Sequence, residues 1–340
     1  MEHATIIGID LAKRSFQLHG ARADGSVAFR KKLSRDKMLR FVASHPPCVV
    51  AMEACASAHH WGREIGQLGH EVKLVPPIYV KPFVKRQKND AADAEAICEA
   101  ASRPTMRFVG VKTQEQQSQG MLFRTRDLLV RQRTQTINAL RGHFAEFGVV
   151  APQGPAHVER LAEAIEDAES PLPDPVRELG ALLFVQIGDL DEKIAELERD
   201  LRERAREDER TVRLMSVPGI GPLCAMAIQA FAPPLESFRR GRDFAAWLGL
   251  VPRQSSTGGK PKLGRISKMG QRDLRRLLVA GAMATVGWAA RRGTKDPWLA
   301  RMLARKPRML VAVALANRTA RIAWALITKN EYYRAPLPTA

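Results

Sequence analysis

The sequence predicts a mixed α/β domain at the N-terminus, a long-helix segment in the middle and a mostly α-helical, strongly basic C-terminal domain. Three observations carry that prediction. The N-terminal third alternates short apolar runs with amphipathic stretches in the order β-β-β-α-β-α-β-α. Two long stretches read as amphipathic helices: 113–147, with its leucines, Ile137 and Phe144 spaced for one face, and 176–207, which keeps an alternating apolar spacing of three and four residues. From Arg239 to Ala340 there are 22 Lys and Arg against four acids, which is the whole formal excess of +18.

The elements follow in order. Residues 4–10, ATIIGID, have the composition of a buried strand. Ser15–Gly20 and Ser26–Lys32, with a turn signal at Asp24-Gly25, complete a three-stranded antiparallel meander. A helix follows over Lys37–Ser44. Cys48–Glu53, CVVAME, is a buried strand that ends on an acid. His60–Leu68 reads as a helix, Glu71–Val75 as a strand, and Asp90–Ala101 as a helix with Asn89 as its N-cap. This order is the ribonuclease-H-like pattern, a mixed sheet with helices on both faces, inferred from topology alone.

Breaks at Val150–Pro155 and Pro171–Pro175 separate the two long helices. These helices either pack on each other or form a coiled coil between subunits. A third region begins near Thr211. Its PGIG turn, Pro218–Gly221, lies between two helices and resembles a helix-hairpin-helix. There Gly219 and Gly221 would let a phosphate approach the backbone, or would serve packing alone. Phe244–Leu250 reads as helix, Val251–Lys268 as a loop, and Asp273–Ala290 and Pro307–Ile327 as apolar helices bearing arginines. The resulting division is 1–110, 111–210 and 211–340.

Charge and composition narrow the function. A one-signed basic block costs self-repulsion, which a polyanionic partner offsets through counterion release. Nucleic acid is therefore the expected partner. Cys48, Cys55, Cys98 and Cys224 form no CxxC pair and read as reduced, mostly buried thiols, which argues against a zinc site. The N-terminus shows no signal peptide, and the better apolar run, Leu277–Ala290, is too short to span a bilayer. The expected location is cytoplasmic and nucleoid-associated, with no membrane.

Four acids stand out. Asp10 ends the first strand and Glu53 the fourth, and these strands are neighbours in a ribonuclease-H-like sheet. Asp90 and Asp93 share a face of the following helix at its start. Alone, they would serve as helix-dipole or capping residues. Together, four carboxylates on one edge cannot all ionise without cations. Hard oxygen ligands suit Mg²⁺, with Mn²⁺ possible, and paired ions can clamp a phosphodiester.

The runs GIDLAKRSF (8–16), AMEA (51–54) and KNDAADAEAI (88–97) resemble the DEDD motif of the insertion-sequence-110 family of transposases. The segment PRQSSTGGKPKLGRISKMGQRDLRRLL (252–278) resembles that family's C-terminal domain, in its 1111 subgroup. The resemblance covers nearly the whole chain. It implies a RuvC-like DEDD catalytic domain over 1–110, a long-helix linker over 111–210 and a transposase domain with a serine loop over 211–340. It also implies a DNA recombinase guided by a structured bridge RNA and acting as an oligomer, a dimer or a tetramer.

The acidic quartet carries over onto Asp10, Glu53, Asp90 and Asp93, as metal ligands and catalytic residues. The family's nucleophilic serine falls on Ser256, with Ser255 and Thr257 as alternatives if the alignment slips by one. Lys260, Lys262, Arg265 and Lys268 would neutralise phosphate, and Arg253, Arg272, Gly219 and Gly221 complete the expected nucleic-acid contacts. No histidine lies near the serine loop, since all eight precede Thr211. Two competing readings are a metal-dependent junction-resolving nuclease without a covalent step, and a nucleic-acid scaffold with an inert acidic site.

Overall fold

The structure, a computed structural model, describes residues 3–84, 90–154 and 157–335. The expected N-cap Asn89 and its neighbours Lys85 and Arg86 lie outside the described residues. The chain divides into two compact units, Met1–Gln117 and Ser118–Ala340. The long helices belong to the second unit and form no compact unit of their own.

The first unit is built on a five-stranded sheet in the order β3-β2-β1-β4-β5, where β1 is Ile6–Asp10, β2 Ser15–Ala21, β3 Val27–Ser34, β4 Val49–Glu53 and β5 Glu71–Val75. β1, β2 and β3 form the antiparallel meander, and β4 runs parallel to both β1 and β5. The helices are α1 (Arg35–Ala43), α2 (Ala58–Gln67), a short α3 (Pro77–Val80) and α4 (Asp90–Ala101). α3 carries no readable periodicity in sequence because it is a single turn begun by Pro77.

Strand alternation sorts the sheet's two faces. Ile7, Ile9, Val50 and Met52 point into one core with Phe16, Met38, Trp61 and Ile65. Ala51 points to the other face, where it packs with Ala96, Ile97, Ala100 and Ala101 of α4. Gly8 lies on this second face as well. A Cβ there would stand 2.3 Å from the Ala94 carbonyl oxygen and 2.8 Å from the Cys98 amide. The small residues Gly8 and Ala51 thus let α4 lie directly on the central strands.

In the second unit, α5 (Gln114–Ala145) and α7 (Asp174–Glu207) pack on each other within the chain. Ile137, Leu140, Phe144 and Ile187 share a core with Leu161 of the short α6 (Glu159–Glu166). Arg126 donates to Glu198 at 2.9 Å, and Arg133 pairs with Asp191 across the same two helices. Of the two arrangements the spacing left open, the intramolecular one is present. Gly180 lies against the Phe144 ring, where a side chain would collide.

The rest of this unit comprises α8 (Glu209–Met215), α9 (Pro222–Phe231), α10 (Gly241–Trp247), strands β6 (Pro252–Thr257) and β7 (Lys260–Ile266), and helices α11 (Arg272–Arg292), α12 (Pro297–Arg305) and α13 (Arg308–Lys329). Leu214, Phe231, Phe244, Leu278, Val286 and Val311 are among its buried core. Among the described residues, α13 is the one helix long and apolar enough to cross a membrane by length and composition. Half of its most apolar window is buried in the unit, as in a core helix.

One expectation is corrected. Val251–Lys268 is not a loop: β6 and β7 form an antiparallel hairpin. Gly258 and Gly259, at φ +57° and +75°, supply the two left-handed residues of a tight turn whose twist suits a hairpin. Nearly every strand residue is exposed, so no apolar alternation marks the strands in sequence.

Candidate active site

Period two carries the face of Gly8 and Ala51 one step further, to Asp10 and Glu53. The β1–β4 register pairs Ile9 with Met52, so Asp10 and Glu53 come next, side by side at the ends of parallel strands. α4 covers that same face, and its first turn holds Asp90 and Asp93. Asp10, Glu53 and Asp93 are all half-buried; the side chain of Asp90 lies outside the described residues.

The electrostatics of this edge fit a gathering of like charges. Burial raises the Glu53 carboxyl above its ordinary value, and the Asp93 carboxylate raises it further. The Cys55 thiol is raised by desolvation, then by Glu53 and Asp10. Asp93 of α4 thus acts on Glu53 of β4, and Asp10 of β1 on the Cys55 thiol that follows β4. Among the described residues, no three acidic, thiol or imidazole groups are placed to hold a metal ion by themselves.

The turn after β4 is tight. The Cys55 amide donates to the Glu53 carbonyl at 2.8 Å, and Ser57, which caps α2, has φ +69°. A non-glycine residue in this region is strained, a feature that clusters at functional sites. His59 is structural: its Nδ1 accepts from the Lys112 amide at 3.1 Å. His60 lies near Glu64. All four cysteines are free thiols. Burial pushes Cys98 to about 11 and Cys224 to about 12, which leaves both inert.

In the second unit, Ser255, Ser256 and Thr257 stand in a row on β6, all exposed. Cross-strand pairing separates them. Ser256 pairs with Pro261 and shares its face with Gln254 and Leu263. Ser255 pairs with Lys262, and Thr257 with Lys260, on the opposite face. The Gln254 amide donates to Ser256 Oγ at 2.9 Å. Of the other expected contacts, Lys260, Lys262, Arg265, Lys268 and Arg272 are exposed. The Arg253 guanidinium donates to the Ser267 carbonyl at 3.2 Å, bracing the open end of the hairpin.

The two glycines of the PGIG turn differ. Gly219, at φ +89°, abuts α11: a Cβ would meet the Gly281 carbonyl oxygen at 3.0 Å and Thr285 Oγ1 at 2.9 Å. Its conformation is explained by packing. Gly221 is exposed, caps α9 and has open space around its Cα.

Two residues went unread in the sequence. Arg275 donates to the carbonyls of Leu248 and Met269, tying together the two chain segments that carry the hairpin. The base of the hairpin is interlocked there, since a Cβ on Gly249 would stand 2.0 Å from the Met269 carbonyl oxygen, and one on Gly270 1.8 Å from that of Trp247. Nothing in the string distinguishes Arg275 from its neighbours Arg272 and Arg276. Gln254 becomes legible only once β6 is known to be a strand, because i and i+2 then share a face.

Residues 212–297 match the family described as "Transposase IS116/IS110/IS902 family", and residues 7–148 match a second family described as "Transposase". A Pseudomonas aeruginosa protein named "Probable family 20 transposase" is 50% identical over 331 residues, covering 96% of this chain and 98% of its own. The "Transposase for insertion sequence element IS1328" of Yersinia enterocolitica is 45% identical, covering 98% and 99%. The "Transposase for insertion sequence element IS1111A" of Coxiella burnetii is 39% identical, covering 98% and 92%. With identity this high along nearly its entire length, the chain belongs to the IS110/IS116/IS902 family of insertion-sequence transposases and is a DNA transposase.

Proposed function

We propose that this transposase uses its acidic edge as a Mg²⁺ site, with Mn²⁺ as a substitute, and Ser256 as a nucleophile on DNA, guided by a structured bridge RNA. The observation that carries the reading is the meeting of Asp10, Glu53 and Asp93 on the α4 face of the sheet. The strand order β3-β2-β1-β4-β5 supports a ribonuclease-H-like, RuvC-like domain. Carboxylate oxygens are the donors Mg²⁺ takes, and this ion commonly binds through one or two of them while water and substrate phosphate complete its shell. Asp10, Glu53, Asp93 and Asp90 would hold it. When bound, it would neutralise charge developing on the phosphodiester.

The chain's own residues account for the covalent step. As the Ser256 Oγ–P bond forms, the P–O bond to a deoxyribose oxygen breaks. Serine loses its proton and the released sugar hydroxyl gains one. The reverse step rejoins a strand without ATP, because the ester keeps the bond energy. Gln254 holds Ser256 Oγ from the same face. Lys260, Lys262, Arg265 and Lys268 lie close in sequence to receive the phosphate charge. DNA and RNA binding would rest on the basic excess and fall steeply with salt. Self-association is supported by Leu179, Leu182 and Val185 of α7, which are 64–67% exposed. The functional division is then a catalytic domain over 1–110, a linker over 111–210 and a serine-bearing domain over 211–340.

The test is a denaturing gel of wild type, Ser255→Ala and Ser256→Ala after reaction with element-end DNA. A protein–DNA adduct should form in wild type, persist in Ser255→Ala and vanish in Ser256→Ala. Full recombination by Ser256→Ala would sink the nucleophile assignment and favour the nuclease without a covalent step.

A further inference from the structure

We infer that the second unit carries a pocket for a single nucleotide extruded from a bound strand, lodged between α5, α9 and α11. This deepens the proposed nucleic-acid binding and rests on it. The cavity measures about 190 Å³. That is below the range of drug-sized ligand sites, and it suits one planar ring with its phosphate at the mouth.

Its floor is apolar. Phe123 and Phe231 are buried and meet at 5.6 Å between ring centroids, and the half-buried Leu223 and Leu277 line the cavity beside them. Its wall is cationic, and the cations are not equivalent. Arg126 is held by Glu198, and Arg276 by Asp127. Among the described residues no ion pair is found for Arg124 or Arg131, which stand one heptad apart on α5 and are exposed. The Arg124 guanidinium lies 5.9 Å from the centre of the Phe231 ring.

Two guanidiniums without an ion pair among the described residues, above an apolar floor, suit a base with its phosphate. The Arg124 guanidinium plane offers a stacking surface, the apolar floor beneath it excludes water, and the charge receives the backbone. A duplex keeps its bases stacked, so a recessed floor of this kind is open to it only after a base leaves the stack. Asp273 on the wall supplies an acceptor for the donor edge of a base.

The experiment uses the full chain and fluorescence anisotropy with three probes: a single-stranded DNA oligonucleotide, the RNA of the same sequence and the DNA duplex. The variant is Arg124→Gln/Arg131→Gln; a charge-matched control is Arg301→Gln/Arg305→Gln on α12. A second variant, Leu223→Phe, narrows the cavity without changing charge. The pocket variant should lose about tenfold or more in single-strand affinity, while its duplex affinity falls no more than in the control. A 2-aminopurine in the single strand should be quenched by wild type and less so by Leu223→Phe, and equal quenching by the two would count against the cavity as the seat of the base. Whether DNA or RNA shows the larger loss identifies the strand. Equal losses for strand and duplex would overturn the pocket and leave a general field. So would full single-strand affinity in the arginine variant. Failure of wild type to bind any of the three probes would instead overturn nucleic-acid binding itself.

Discussion

The acidic edge of the first unit and the hydroxyl hairpin of the second are built by opposite means. The edge is a product of burial: Gly8 and Ala51 admit α4, and the carboxylates are the next residues on that face. The hairpin has almost no core. It is shaped by two left-handed glycines at its tip and by interlocked backbone at its base. A site made by packing is fixed in geometry and strained in charge. A site made by turn chemistry is accessible and free to engage a partner. The division suits the proposed reaction, in which a preset group of acids would serve a substrate-seeking hydroxyl.

The comparison breaks most sharply in activity. Asp10→Asn should reduce strand cleavage at least about a hundredfold, the scale on which one charged contact to a transition state acts. Its thermal unfolding should stay close to wild type, because Asp10 is only half-buried. Retained cleavage would make the edge structural. Gly8→Val comes next. With a Cβ 2.3 Å from the Ala94 carbonyl oxygen, α4 must lift from β1. The cost should be about 3 kcal/mol or more, seen as a lower unfolding midpoint and faster amide exchange in α4.

The matched change in the hairpin should be milder. Gly258→Ala places a Cβ in open space but at φ +57°, so only local backbone strain of about 1 kcal/mol arises. Global melting should hardly move, while exchange of the hairpin amides rises. A drop in global stability equal to that of Gly8→Val would erase the contrast between the two regions.

The smallest effect sharpens the electrostatic half. Glu53 has a folded pKa raised by burial and by Asp93. An acid raised in the fold is penalised when ionised. The penalty is absent below the ordinary glutamate range and grows as pH rises through it. In metal-free buffer, Glu53→Gln should therefore stabilise the protein at neutral pH by a few tenths to about 1 kcal/mol, and less in acid. The readout is the difference in melting temperature between pH 7 and pH 4. An equal gain at both would show that charge is not the cause.

Much of this was legible in the string. β4 and β5 end on the residues that composition assigned, and the whole charge excess could be located by counting. Asp10 and Glu53 were legible because a strand-end acid after an apolar run is a local pattern. The short α3, α6 and α12 were not, since a helix of a few turns at most carries too little periodicity to stand out. β6 and β7 hid for another reason. Strands are recognised by alternating burial, and these bury almost nothing.

What the sequence determined by itself is the inventory: four acids in order, three hydroxyls in a row and a basic C-terminal block. Tertiary structure decided which of them meet. That Ser256 faces Gln254 while Ser255 and Thr257 face lysines follows from hairpin register, which pairing sets and no single segment encodes. That Gly8 is a seat for α4 and Gly219 a seat for α11 depends on the other helix being there. Close approach is a property of two surfaces, and one strand of sequence carries only one of them.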